Sequence, residues 1–244
     1  MAILNFCGFE SGDAIEAYTT SGTFSIQSTV KRSGDYALQS NPTTTNVGYL
    51  SLRRPYGAGA EGSFNEATIY YAFYFRYAVK PSANSEVMFR SQSTLLKMEV
   101  RLNSAGQLAA YDSAAALMAT GATVLAADTW YLIEVMVGTG ASGAWEVKIN
   151  GVSEISGTGN LGADTNMLLF LGKYPNYNGE TVEFYYDDVC IDNAAYPGAG
   201  QVFRMDGDGN GNYIAWTGVY TDVDDIPHDT DITYLSDATS GNAE

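Results

Sequence analysis

A chain of 244 residues is long enough for one large core, and a formal net charge of −16 argues against nucleic-acid or anionic-membrane partners. Phosphate surfaces need clustered Lys and Arg, whereas the nearest approaches here are the isolated pairs Lys31-Arg32 and Arg53-Arg54. No run of eighteen apolar residues and no basic-plus-apolar leader is visible, so neither a membrane span nor a standard secretory signal is expected.

Abundant Tyr, Thr, Ser and Gly with few charges describe many strands joined by tight turns. The first strand falls in Leu4-Asn-Phe-Cys-Gly-Phe-Glu10, where Leu4 and Phe6 alternate with Asn5 and Cys7. A turn at Glu10–Asp13 precedes Thr19–Ser28, which alternates at Phe24 and Ile26, and a second turn runs into Tyr36–Leu38. Residues 48–54 read as a strand and 55–66 as a Gly-rich loop. The strongest periodicity is 67–79: Ile69, Tyr71, Phe73, Phe75, Tyr77 and Val79 share one face, and Thr68, Tyr70, Ala72, Tyr74 and Arg76 the other. In 97–103, Met98, Val100 and Leu102 alternate with Lys97, Glu99 and Arg101, and Ser104-Ala-Gly106 turns the chain into 107–111. Ala114–Ala119 fits a helical turn or a loop equally well. Tyr131, Ile133, Val135 and Val137 are in phase, as are Trp145, Val147 and Ile149, after which Asn150-Gly151 is a strong hairpin signal because both residues tolerate positive φ. Met167–Leu171 has the length of a buried strand.

The last strand of the body is Glu183-Phe-Tyr-Tyr-Asp-Asp-Val-Cys-Ile-Asp192, with Val189 and Ile191 on one face and Asp188, Cys190 and Asp192 on the other. It is expected to pair with the first strand and close the body at about residue 196, leaving 197–244 as an extended acidic Gly/Asp-rich arm. Cys7 and Cys190 then fall on neighbouring strands in the same polar phase, where a cross-strand bridge and two free thiols are both compatible with the pattern. About a dozen strands without an amphipathic helix indicate an all-β antiparallel sandwich or jelly roll.

Taken in order, Phe6-Cys-Gly-Phe-Glu-Ser-Gly-Asp13, Arg32-Ser-Gly-Asp-Tyr-Ala-Leu38, Thr129-Trp-Tyr-Leu-Ile-Glu-Val135, Val147-Lys-Ile-Asn-Gly151 and Tyr186-Asp-Asp-Val-Cys-Ile191 resemble the concanavalin A-like jelly roll in its laminin-G-like branch. The segments Tyr196-Pro-Gly-Ala-Gly-Gln-Val-Phe203, Gly207-Asp-Gly-Asn-Gly-Asn-Tyr-Ile-Ala-Trp-Thr-Gly218 and Asp224–Leu235 resemble structural proteins of tailed bacteriophages. That resemblance implies a non-enzymatic virion subunit, a capsid decoration or tail-associated protein located in the virion. Its partners would be further copies of itself and other virion proteins. A carbohydrate-binding module or lectin, including adhesion to host-surface glycans, is the alternative.

Glycosidases that resemble this fold carry two or three carboxylates on one strand. Here only Glu183 and Asp187 share a face, with no third carboxylate at the required spacing, so no catalytic residue is assigned. The single histidine, His228, lies in the arm, which excludes multi-histidine metal sites. Asp206-Gly-Asp-Gly-Asn-Gly211 matches half of a calcium loop, but Thr217 stands where the bidentate Glu belongs, and a Gly/Asp turn explains the string without metal. No metal or other cofactor is therefore expected. Tyr70, Tyr74 and Arg76 on the outer phase of the long strand, with Tyr213, Trp216 and Tyr220 in the arm, are the candidate contacts to a glycan or a neighbouring subunit.

Overall fold

The computed structural model describes residues 3–14, 19–43, 46–52, 64–92, 95–174 and 179–202. All regular structure among them is β, in two antiparallel sheets. In the first, the order is β14 (Val152–Gly159), β13 (Gly143–Ile149), β12 (Tyr131–Gly138), β7 (Thr68–Val79), β16 (Glu183–Asp192), β4 (Ala37–Ser40) and β3 (Phe24–Gln27), with β1 (Ile3–Cys7) also pairing β16. In the second, the order is β11 (Leu117–Val124), β10 (Gln107–Tyr111), β9 (Leu96–Asn103), β8 (Ser85–Gln92), β15 (Asn166–Lys173), β5 (Gly48–Leu52) and β2 (Thr19–Gly22), with β6 (Phe64–Asn65) on β15. The chain crosses between sheets at β1–β2, β2–β3, β4–β5, β6–β7, β7–β8, β11–β12, β14–β15 and β15–β16, in keeping with a jelly roll.

The long strand explains the core. Ile69, Tyr71, Phe73 and Phe75 are fully buried between the sheets, while Tyr70, Tyr74 and Arg76 lie half-buried on the outer side. Phe73 stacks on Phe89 of the facing sheet at 5.9 Å, and Tyr71 meets the same ring edge-on at 5.1 Å. Burying each such ring contributes roughly 1.5–3 kcal/mol. The core tyrosines satisfy their hydroxyls across the sandwich: Tyr186 donates to the Met88 carbonyl at 2.8 Å, and the Tyr71 hydroxyl lies 3.1 Å from Ser91 Oγ.

β16 keeps its inner face apolar through a change of phase. Phe184 and Tyr186 point inward on even numbers, and Val189 and Ile191 on odd ones, because the register with β7 shifts between Asp187 and Cys190. Asp188 supplies the bulge at φ 49°, a left-handed conformation that Asp tolerates better than most residues. The hairpin at Asn150-Gly151 has positive φ at both positions and places Ile149 opposite Val152.

Several expectations need correction. Strand β1 also changes phase, between Ile3 and Asn5, so Cys7 is buried and Phe6 is exposed. Cys7 is opposite Val189 and Cys190 opposite Phe6; they lie on opposite faces of the sheet with no disulfide between them, and burial raises the Cys190 thiol to about 11. Of Ala114–Ala119, residues 114–116 are the turn or loop expected but Leu117–Ala119 start β11, and β8, β14 and the short β6 went unread in the sequence. The arm candidates Tyr213, Trp216 and Tyr220, together with His228 and the Asp206–Gly211 string, lie outside the described residues.

Candidate functional site

The outer face of the second sheet carries a built polar and aromatic surface. Strand registers place Tyr111 opposite Glu99, Glu99 opposite Arg90, Arg90 opposite Phe170, and Phe170 opposite Ser51, so five strands contribute to one transverse row. Three strand spacings separate Tyr111 from Phe170, about 14 Å.

Glu99 is fully buried at the centre of this row. Its Oε1 accepts from Arg90 Nη1 at 2.6 Å, and its Oε2 accepts from Arg101 Nε at 2.9 Å and Nη2 at 2.6 Å. Each guanidinium also stacks on a tyrosine: Arg101 lies 3.8 Å over the Tyr111 ring and Arg90 4.1 Å over Tyr174. The Arg90 Nε bonds to Gln92 Oε1, and Gln92 Nε2 reaches the Tyr174 hydroxyl at 3.5 Å. Beyond Arg90, Tyr174, Tyr49 and Phe170 form an aromatic cluster with ring centres 4.9 to 5.7 Å apart. The carboxylate thus fixes two cations, and each cation packs on a ring.

At the Tyr111 end the face opens into a cleft of about 270 Å³, bounded by Asn84, Ser85, Asn103, Ala109, Tyr111 and Thr120. Ser85 Oγ lies 3.4 Å from the Tyr111 hydroxyl. Amides, hydroxyls and one aromatic wall make a lining that hydrogen-bonds and stacks.

The outer face of the first sheet, which holds Tyr70, Tyr74 and Arg76, is arranged differently. Residues 194–202 run across it. Tyr196 packs edge-on against Tyr70 at 5.0 Å, lies under the Lys148 ammonium at 3.5 Å, and donates to Glu146 Oε2 at 2.6 Å. Gly198 N donates to Glu134 and Val202 N to Asp188. The Val202 side chain presses on Gly8, where an added Cβ would stand only 2.6 Å from Val202 Cβ. Arg32 covers Tyr74 at 3.6 Å, donates to its hydroxyl, and bonds to Asp188 at 2.8 Å and the Gly200 carbonyl at 2.6 Å. Arg76 pairs with Asp128 at 2.6 Å. The chain itself therefore occupies the surface above Tyr70 and Tyr74.

Buried carboxylates anchor that arrangement. Asp187, fully buried, accepts from the backbone N–H groups of Arg32, Ser33 and Asp188. Burial, with the Asp188 charge beside it, pushes its carboxyl up to about 7. Glu183, its partner in the carboxylate pair weighed from the sequence, bonds to Gln39 and Tyr185 on the outer face of the first sheet. Neither carboxylate borders the cleft.

The sequence placed Glu99 and Arg101 correctly on the outer phase of β9 but did not single them out, and it passed over Arg90, Gln92, Tyr111, Phe170 and Tyr174. The available signal was the alternating run Lys97-x-Glu99-x-Arg101 beside a tyrosine-ended hairpin strand.

No family model matches the chain, and no curated protein matches it. Solved structures do. An endo-β-1,4-glucuronan lyase from the fungus Trichoderma reesei superposes with a TM-score of 0.60 at 14% identity, over 79% of this chain and 96% of that one. The cellulose-induced protein Cip1 gives 0.59 at 14% identity, over 80% of this chain and 100% of that one. The binding domain of Paraclostridial Mosquitocidal Protein 1 gives 0.55 at 10% identity, over 79% of this chain and 49% of that one. At such identities the likeness is one of fold: an all-β jelly-roll sandwich.

Proposed function

We propose that this domain binds carbohydrate on the outer face of the second sheet. The observation that carries the reading is the transverse row in which Tyr111 and the Tyr49–Phe170–Tyr174 cluster flank the Arg101–Glu99–Arg90 triad, beside a cleft lined by Asn84, Ser85 and Asn103. A sugar presents C–H faces and a rim of hydroxyls. Half-buried tyrosines supply the matching apolar plates, held in place by the buried guanidiniums, and the amides of Asn84 and Asn103 at the cleft supply polar partners. The row extends across about 14 Å of sheet, which suits an extended chain better than a single sugar unit. A lyase acting on glucuronan shares the fold, in keeping with a carbohydrate ligand.

The test is titration of the protein with a panel of neutral and uronate-containing polysaccharides by calorimetry, with new chain ends assayed in the same samples to separate binding from cleavage. Saturable binding that falls roughly tenfold or more in Tyr111→Ala and in Tyr174→Ala is the expected result. Failure to bind any member of the panel would refute the reading.

A place in a phage virion is a separate proposal, supported by the sequence resemblance of the body and of residues 196–235. It is compatible with glycan binding, since a virion subunit can also adhere to its host's surface. Detection of the protein in purified particles by mass spectrometry tests it.

A further inference from the structure

Glu180 lies just before β16, outside any strand, yet its carboxylate gathers the loop that joins β7 to β8. Oε2 accepts from Ser82 N at 2.9 Å and Ser82 Oγ at 2.7 Å. Oε1 accepts from Ala83 N at 3.3 Å and from Asn84 N and Nδ2, each at 3.1 Å. Three successive backbone N–H groups converging on one anion form a nest, and here the anion belongs to the chain itself. These bonds, led by those from Ser82, hold the carboxyl down to about 2.

The backbone of Glu180 is fixed separately. Its N–H donates to Glu86 Oε1 at 2.9 Å, and its carbonyl accepts from Lys173 Nζ at 2.6 Å. Glu86 and Lys173 are both buried and lie 3.7 Å apart. The ion pair in the sandwich therefore holds the main chain of Glu180, and the side chain of Glu180 holds the loop. That loop ends in Asn84 and Ser85, one wall of the cleft, facing Tyr111, Asn103 and Thr120. Ser82, Ala83 and Asn84 are themselves exposed, so burial does not hold them in place.

We propose that Glu180 is a positioning residue for glycan binding: its carboxylate sets Asn84 and Ser85 at the separation from Tyr111 that the cleft needs. This rests on the carbohydrate reading of the same face. The experiment compares wild type, Glu180→Gln, Glu180→Asp and Asn84→Ala by calorimetry against a polysaccharide that wild type binds, with amide hydrogen exchange followed by NMR. Glu180→Gln is expected to speed exchange at residues 82–84 while the strands stay protected, and to weaken binding roughly tenfold. Glu180→Asp, which keeps the charge, recovers part of both effects. Asn84→Ala removes an exposed side chain and one of its bonds to Glu180 while the backbone N–H bonds of residues 82–84 remain, and it weakens binding without altering the fold, so the test survives if Glu180→Gln does not fold. Freed 82–84 amides with wild-type affinity, or wild-type affinity in Asn84→Ala, would overturn the positioning role. A wild-type protein that binds none of the panel fails the carbohydrate reading instead, and the role of Glu180 in binding falls with it.

Discussion

The two outer faces of the sandwich use the same residue types to opposite ends. On the first sheet, Arg32 stacks on Tyr74, and Tyr70 meets Tyr196, but the chain's own residues 194–202 lie across them. On the second, Arg101 stacks on Tyr111 and Arg90 on Tyr174, and the rings stay half-buried beside a cleft. The counter-charge differs as well. Backbone N–H groups, the Ser33 hydroxyl and one arginine satisfy Asp187 and Asp188 on the first face, whereas one carboxylate ties two arginines together on the second. Among the described residues, an Arg–Tyr pair is therefore covered by the chain in one place and left uncovered in the other.

Removing the hub of the second face should have the largest effect. Glu99→Gln leaves two largely buried guanidiniums without their shared counter-charge, and breaking a buried ion pair in this way costs about 3–5 kcal/mol. Denaturant unfolding should show that loss, and glycan titration should show binding abolished, because both stacked tyrosines lose the cations that orient them. Unchanged stability would mean that the triad is a solvated surface pair.

The contrast between the faces also shows how far the sequence can be read. Period-two runs such as 68–79 and 131–138 announced themselves, and the rows of β7 fell where the alternation put them except at Val79, expected inside but exposed at the strand end, where the register with β16 shifts. β8 did not, because a bulge between Val87 and Phe89 breaks its period: Glu86 is opposite Leu102, in the inward row, while Arg90 is opposite Glu99 in the outward one. β11 and β14 are edge strands rich in Ala, Thr, Ser and Gly, with the weak signal such strands carry. The candidate site depends on the order β10-β9-β8-β15, in which β8, β9 and β10 are consecutive strands and the turn at Ser104-Ala-Gly106 already announced the β9–β10 hairpin, whereas Phe170 joins the row from β15, far along the chain. Local pattern holds no trace of that last pairing. The cover over Tyr70 is equally non-local, since it comes from Tyr196.

Acidity separates the faces next. Asp187 titrates near 7 in the folded protein against an ordinary value of 3.8, so the native state keeps a proton that the unfolded chain has released. Its contribution is fully present below about pH 4 and is lost as pH rises through about 7, on the order of 2–4 kcal/mol. Burial raises Glu10 and Glu86 in the same direction. Glu180 acts oppositely: held down to about 2, it contributes stability above its ordinary 4.5 that is lost as pH falls toward 2. Stability should therefore peak at about pH 4 to 5. Thermal unfolding across pH 3–8 checks this, and Asp187→Asn should flatten the limb above the peak. A wild-type curve that rises steadily from pH 5 to 7 would contradict the buried, protonated Asp187 on which the first face is anchored.

The smallest expected effect is the most direct test of which face meets ligand. Tyr70→Ala deletes an edge-to-face contact with Tyr196, 5.0 Å between ring centres at 75°, worth roughly 1 kcal/mol beyond the area it buries. The variant should melt slightly earlier and bind polysaccharide with wild-type affinity, because the lost ring faced the protein's own chain. Tyr111→Ala, a truncation of the same size on the opposite sheet, should do the reverse and lower affinity at little cost in stability. If Tyr70→Ala instead loses affinity while Tyr111→Ala keeps it, residues 194–202 must leave the first sheet when ligand binds, and the roles of the covered and uncovered faces would have to be exchanged.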